Sequence, residues 1–299
     1  MEIQDFSFHS SGSDGILYTF VLSLIKGNLL IGKIITFVSL LGSGFLMNEL
    51  FKIYSIMPRR NYTLMLVWMI LVIAFPMLWS ISPQLLAFTV VIYASFLLFR
   101  AAIEDLQIRD LITISFLFSI ASLIYKPFLG YVLFLPLALM ILRQFNLRYF
   151  LIILIIYAIP YFYLWVFFFF FGESGYIAGL FDFDVFYPVL NTELLSDYHF
   201  TIPLLTGGLL FIYSLIQTIG NLAKKLIHIR IILSLLIAYF LFTVLLISIS
   251  PSDFGYNIYL LIVPVSGIMA VGLSEIKASW ILDIYLLFYI VTSVLLIFF

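Results

Sequence analysis

Apolar residues run through the chain in long blocks, and the polar residues between them alternate between basic turns and uncharged or acidic ones. The first full block runs about Leu29 to Phe51 and is closed by Lys52, Arg59 and Arg60. Asn61 to Phe99 is one uncharged stretch. It is too long for a single crossing, because a helix rises ~1.5 Å per residue and ~20 residues cover the ~30 Å of hydrocarbon. Its break falls at Pro76–Gln84, where two prolines, two serines and Trp79 predict a tight helical hairpin. Arg100–Asp110 forms the next basic turn, with Asp105 and Arg109 spaced i, i+4 as on a short surface helix. Leu111–Leu142 reads as a second hairpin, broken only at Lys126-Pro127, with arms short enough to sit within protein or to thin the bilayer. Tyr149–Phe171 crosses next and ends in a run of aromatics. Four further spans follow at about Ile202–Gly220, Ile229–Ile249, Tyr256–Leu273 and Ala278–Phe299. The pattern predicts an all-α, polytopic transmembrane bundle of about ten membrane helices. A short N-terminal interfacial helix precedes them, since the apolar piece up to Ile25 cannot span.

Charge then orients the bundle. Eleven of the fourteen basic residues lie in the turns on one side: Lys52, Arg59, Arg60, Arg100, Arg109, Arg143, Arg148, Lys224, Lys225, Arg230 and Lys277. Lys26, Lys33 and Lys126 lie outside or near the outer surface. Short loops rich in Lys and Arg stay in the cytoplasm, so both termini are expected on the extracytoplasmic side of a bacterial inner membrane. The chain reads as one transmembrane domain, 1–299, with an outer N-terminal segment 1–28 and a long outer loop 172–201. With 65% apolar and 10% charged residues it cannot cover a soluble surface. The absence of Cys excludes disulfides, thiolate metal sites and Cys nucleophiles, and the basic residues form no patch for nucleic acid.

The acids gather on the outer side, where Glu2, Asp5, Asp14, Glu173, Asp182, Asp184, Glu193, Asp197 and Asp253 make nine of fifteen. The plain reading is that acids are what remains once Lys and Arg are kept inside. The sharper one concerns Asp14, which heads Ser13-Asp14-Gly15-Ile16-Leu17-Tyr18 at the membrane boundary, where a carboxylate can serve as a general base toward an acceptor hydroxyl. Lys126 reads either as a point charge for a lipid phosphate or as a lysine snorkelling to the interface. Glu193, Asp197 and His199 invite a metal reading, but one His with loop carboxylates is weak, and no metal or cofactor is expected. The aromatics from Tyr161 to Phe171 fit an outer-leaflet belt or a groove for an isoprenoid tail. Glu49 and Lys52 read as a helix-end pair, and Asp283 sits near the inner surface.

The stretch from Ser13-Asp14-Gly15 through Tyr18 to Leu24-Ile25-Lys26-Gly27-Asn28-Leu29-Leu30-Ile31-Gly32-Lys33-Ile34 resembles the first outer loop and following helix of the C-type membrane glycosyltransferases (the GT-C superfamily). The likeness continues through Ile34–Tyr54, the Pro76–Pro83 turn and Ser119–Pro127, whose Lys126-Pro127 is similar to a helix end written "xLxKP" in those enzymes. It covers roughly residues 13–171, and residues 34–171 also resemble a family of bacterial inner-membrane proteins of uncharacterised function. The resemblance implies a GT-C-like fold, a polyprenyl-phosphate sugar donor, and an acid of the first outer loop, here Asp14, as catalytic base. A second acidic motif often present in that superfamily has its nearest counterpart at Asp182-Phe183-Asp184. The superfamily also carries a membrane helix ahead of the acidic loop, whereas this chain opens at the loop, which leaves an upstream helix open.

Three readings of function follow. The first is a glycosyltransferase-like enzyme handling a polyprenyl-phosphate-linked sugar at the extracytoplasmic face, with Asp14 as base, Lys126 near the phosphate, and Asp182, Asp184, Glu193 and Asp197 as further outer candidates. The second is a non-catalytic subunit or scaffold of a cell-envelope assembly, with membrane lipid and an envelope protein as partners. The third is a transporter or lipid flippase, against which stands the lack of repeat symmetry and of matched broken helices.

Overall fold

The computed structural model describes residues 14–25, 28–57, 62–172, 198–249 and 257–275, together with 280, 286–287 and 289–292. Among them are α1 (Ile16–Ile25), α2 (Leu29–Ile53), α3 (Thr63–Ala74), α4 (Pro83–Arg100) and α5 (Ile108–Ile124). These are followed by α6 (Tyr131–Ile141), α7 (Leu147–Phe170), α8 (Tyr198–Asn221), α9 (Ile227–Ile249) and α10 (Ile258–Ser274). Three 3₁₀ turns join them, at Pro76–Trp79, Lys126–Gly130 and Leu222–Lys224. Helices are the form a chain takes where no water is available to satisfy its backbone.

Among the described residues five helical stretches are long and apolar enough to cross a membrane: Leu29–Ile53, Pro83–Arg100, Leu147–Phe170, Phe200–Lys224 and Ile227–Ser248. The fold is that of a helical membrane-embedded protein. The remaining helices are short, with 12 residues in α3, 11 in α6 and 17 in α10. At ~1.5 Å per residue α3 measures only about 18 Å and α10 about 26 Å. Burial explains why that suffices. Thirteen of the 17 residues of α10 are buried, against three of the 24 in α7. A helix enclosed by protein has no hydrocarbon thickness to match, whereas α7 shows a long apolar face.

Around α10 pack α3, α4, α8 and α9, while α5 lies against α4 and α7. In apolar surroundings small residues and hydroxyls hold helices together. Ser119 Oγ donates to Tyr157 O at 2.7 Å, Tyr157 OH donates to Phe128 O at 2.7 Å, and Ser122 and Tyr161 share a 2.7 Å hydrogen bond, so α5 and α7 are stitched along their length. Tyr131 OH and Thr243 Oγ1 do the same between α6 and α9 at 2.8 Å, inside a cluster that includes Phe134, Tyr239 and Phe242. The α8–α10 contact is close, for a Cβ placed on Gly272 would lie 2.5 Å from the Ser214 carbonyl oxygen.

The hairpins form where the sequence pattern puts them. Ser82 caps α4, accepting from Leu85 N at 3.3 Å, and Pro83 occupies the first turn, where its missing N–H costs nothing. The expected surface helix at Asp105–Arg109 does not form. Arg100 instead pairs with Glu104 at 2.9 Å, residues 101–107 are turn and coil, and α5 begins at Ile108 with Asp110 in its first turn. Its place is taken by a tie across the bundle, in which Gln144 Oε1 accepts from Leu106 N at 2.9 Å and Gln144 Nε2 donates to Ala101 O at 3.1 Å. The Glu49–Lys52 pair forms at 2.8 Å.

Alternation of helix direction gathers Lys52, Arg100, Arg109, Arg143, Arg148, Lys224, Lys225 and Arg230 at one end of the bundle, here the basic end. Next to Lys52, burial pushes the Tyr54 hydroxyl up to about 12, so it stays neutral and donates to Phe96 O at 3.1 Å. Lys225 pairs with Glu275, whose second oxygen accepts from Asn221 Nδ2 at 3.0 Å, and the α8–α9 turn is thereby fastened to the end of α10. Arg59, Arg60, Lys277 and Asp283 lie outside the described residues.

Because Gly272 abuts backbone rather than a flexible side chain, Gly272→Val is expected to force α8 and α10 apart and to lower stability by about 1–3 kcal/mol. A thermal melt in detergent checks this. A variant melting with the wild type would show that the α8–α10 seam contributes little.

Candidate functional site

The end opposite the basic turns is built from four segments far apart in sequence. α1 lies against α5, and just before it Asp14 pairs with Tyr125 in an isolated antiparallel bridge. Gly15 N donates to Ile124 O at 2.9 Å, taking up a carbonyl that the end of α5 leaves without a helical partner. The approach is so close that only glycine fits, since a Cβ on Gly15 would lie 1.9 Å from Leu123 O. Tyr18, fully buried one turn later, sends its hydroxyl to Ile81 O at 3.2 Å in the turn between α3 and α4. The fourth segment is the start of α10, where the buried Asn257 Oδ1 accepts a hydrogen bond from Tyr125 OH.

The two residues singled out for chemistry are thus neighbours in space as well as candidates in sequence. Asp14 is half-buried on the docked segment, and Lys126, the residue after its bridge partner, opens the 3₁₀ turn Lys126–Gly130. Lys126 is half-buried while Tyr125, Pro127 and Phe128 around it are buried. Pro127 stands in the first turn as expected, and Phe128 N donates back to Tyr125 O at 3.0 Å. A carboxylate can accept a proton and an ammonium can bind an anion, and the backbone bridge brings together the two segments that carry them.

The other acidic candidates, Asp182, Asp184, Glu193 and Asp197, lie outside the described residues, as do Glu2, Asp5, Glu173 and Asp253. The His199 side chain also lies outside them. Among the described residues no three His, Asp or Glu side chains form a group that could hold a metal. The aromatic face of α7 is exposed at Phe162, Tyr163, Trp165, Phe167 and Phe169, as a lipid-facing belt requires, while Tyr161 turns inward to Ser122.

Reading the sequence missed Tyr125 and Asn257 as parts of this end. Asn257 stands alone at the mouth of an apolar span, and a polar amide there is the only signal the chain offers. Comparison with protein-family models, with curated proteins and with solved structures returned no match to this chain.

Because the chain has no Cys, an introduced pair reports on one contact alone. Asp14→Cys with Lys126→Cys is expected to be joined by a short bifunctional thiol reagent in the otherwise wild-type protein. Adding Gly15→Ala should lower the yield severalfold, as the new methyl displaces the segment from Leu123. An undiminished yield would show that the docking does not depend on that contact.

Proposed function

We propose that this chain is a glycosyltransferase-like membrane protein of the C type, acting on a polyprenyl-phosphate-linked sugar at the extracytoplasmic face. Asp14 serves as the base toward an acceptor hydroxyl, and Lys126 holds the lipid phosphate. The observation that carries the reading is the backbone bridge between Asp14 and Tyr125, which brings together two residues selected separately for these two roles. The gathering of eight basic residues at the far end supports the orientation, since Lys- and Arg-rich turns remain in the cytoplasm. About ten crossings in a GT-C-like arrangement complete the proposed topology.

A second reading has its own support. The donors that the Asp14 segment supplies to Ile124 O and, through Tyr18, to Ile81 O are bonds a purely structural segment would also make. On that reading the Asp14 segment is architectural, and the bundle is a non-catalytic subunit that docks lipid or an envelope protein.

One experiment separates these readings and a second tests the orientation. With a panel of labelled polyprenyl-phosphate hexoses as donors, Asp14→Asn should slow sugar transfer by about 10²–10⁴-fold, the usual worth of a positioned base, while donor retention in native mass spectrometry persists. Transfer at the wild-type rate would remove Asp14 from the mechanism. In intact cells, a membrane-impermeant maleimide should label Lys126→Cys and spare Gln107→Cys, and the opposite pattern would invert the proposed orientation.

A further inference from the structure

The turn that carries Lys126 is held more firmly than a link between two helices needs. Tyr125 is fixed three ways: its N–H donates to Ala121 O at 2.9 Å, its hydroxyl reaches Asn257, and its carbonyl accepts from Phe128 N, while Gly15 N holds the neighbouring Ile124 O. From beneath, Tyr157 OH donates to Phe128 O at 2.7 Å. Lys126 is the half-exposed member of an otherwise buried run.

Asn257 is the informative partner. It occupies the N-cap position of α10, where an Asn side chain ordinarily accepts from the first turn and is worth ~1 kcal/mol. Here it makes no cap hydrogen bond, and its backbone is helical, with φ −63° and ψ −13°. Its side-chain oxygen is committed instead to a phenol 132 positions away in sequence. An amide whose side-chain oxygen goes to Tyr125 and not to its own first turn acts on the Lys126 turn.

We propose that Asn257, acting through Tyr125, is the positioning residue for Lys126 and so sets the preference of this site for a lipid phosphate. The inference rests on the reading of Lys126 given above. A lysine is a point charge on a flexible stem, and its hold on a phosphate depends on how firmly the backbone beneath it is placed. Without the Tyr125–Asn257 bond the phenol is left without that acceptor in apolar surroundings, and the turn shifts to find another.

The test compares undecaprenyl phosphate with undecaprenol, which has the same tail and no phosphate. Each is titrated against the full-length protein in detergent by native mass spectrometry, and the ratio of the two affinities is read. The wild type is expected to prefer the phosphate, and Lys126→Ala to bring the ratio near one. Tyr125→Phe, which removes only a hydroxyl, and Asn257→Leu should each lower the ratio about threefold to tenfold, the worth of one hydrogen bond. Their combination should lower it no further, with affinity for the alcohol unchanged. If Lys126→Ala abolishes the preference while Tyr125→Phe and Asn257→Leu keep it, this inference alone falls. If the two variants weaken both ligands in parallel, their role is structural and the inference falls as well. A wild type without preference, or with one that Lys126→Ala leaves intact, overturns the reading of Lys126 first and this inference with it.

Discussion

A peptide group in hydrocarbon has no water to turn to, and the architecture follows from where helices break and what then satisfies the freed groups. At the end opposite the basic turns two such breaks have described surroundings. At the first, Trp79 Nε1 donates to Val72 O at 3.1 Å, Tyr18 OH to Ile81 O at 3.2 Å, and Ser82 caps α4. At the second, Gly15 N serves Ile124 O and Tyr157 OH serves Phe128 O. The docked segment around Asp14 is therefore not an ornament on the bundle. It supplies donors to both breaks, one from Gly15 backbone and one from Tyr18 side chain, and the geometry of the candidate site is a consequence of that service.

The same constraint sorts the helices. Those that face lipid, such as α2 and α7, are 25 and 24 residues long, whereas the buried α10 has 17. Short helices bring their ends, and the polar groups there, below the level that a full span would reach. Asn257 at the start of α10 and Glu275 just past its end are both examples, and each is paired: Asn257 with Tyr125, and Glu275 with Lys225 and Asn221. Breaking the Asn257–Tyr125 pair costs more than the pair contributes, because both groups are buried, whereas Lys225 and Glu275 keep part of their exposure.

Much of this was legible in the sequence, and for identifiable reasons. The hairpin breaks at Pro76–Gln84 and at Lys126-Pro127 were readable because proline and clustered polar residues interrupt apolar runs whatever the tertiary context. The Glu49–Lys52 pair was readable because i, i+3 spacing is local. The surface helix at Asp105–Arg109 was misread because the deciding partner, Gln144, lies 38 residues from Leu106. The bridge from Asp14 to Tyr125 and the bond from Tyr125 to Asn257 were invisible for the same reason. Gly15 was visible as a letter of the Ser13-Asp14-Gly15 motif, but the carbonyl that forbids any larger residue there belongs to Leu123. Local rules predict elements; the site is made of contacts between them.

On the function proposed here, the placement of Asp14 beside Lys126 also selects among ligands. A simple anion drawn to the ammonium would be repelled by a carboxylate held at a similar distance, since the two terms have the same form and opposite sign. A ligand that carries its negative charge at one end and hydroxyl donors at the other meets attraction from both residues. A sugar joined to a lipid phosphate has that distribution, with the tail free to lie along an apolar helix face. The juxtaposition therefore discriminates by the separation of charge from hydrogen-bond donors within the ligand, and a shift of Lys126 relative to Asp14 alters that separation directly. On that proposal the hold of Asn257 on Tyr125 bears on selectivity as well as on stability.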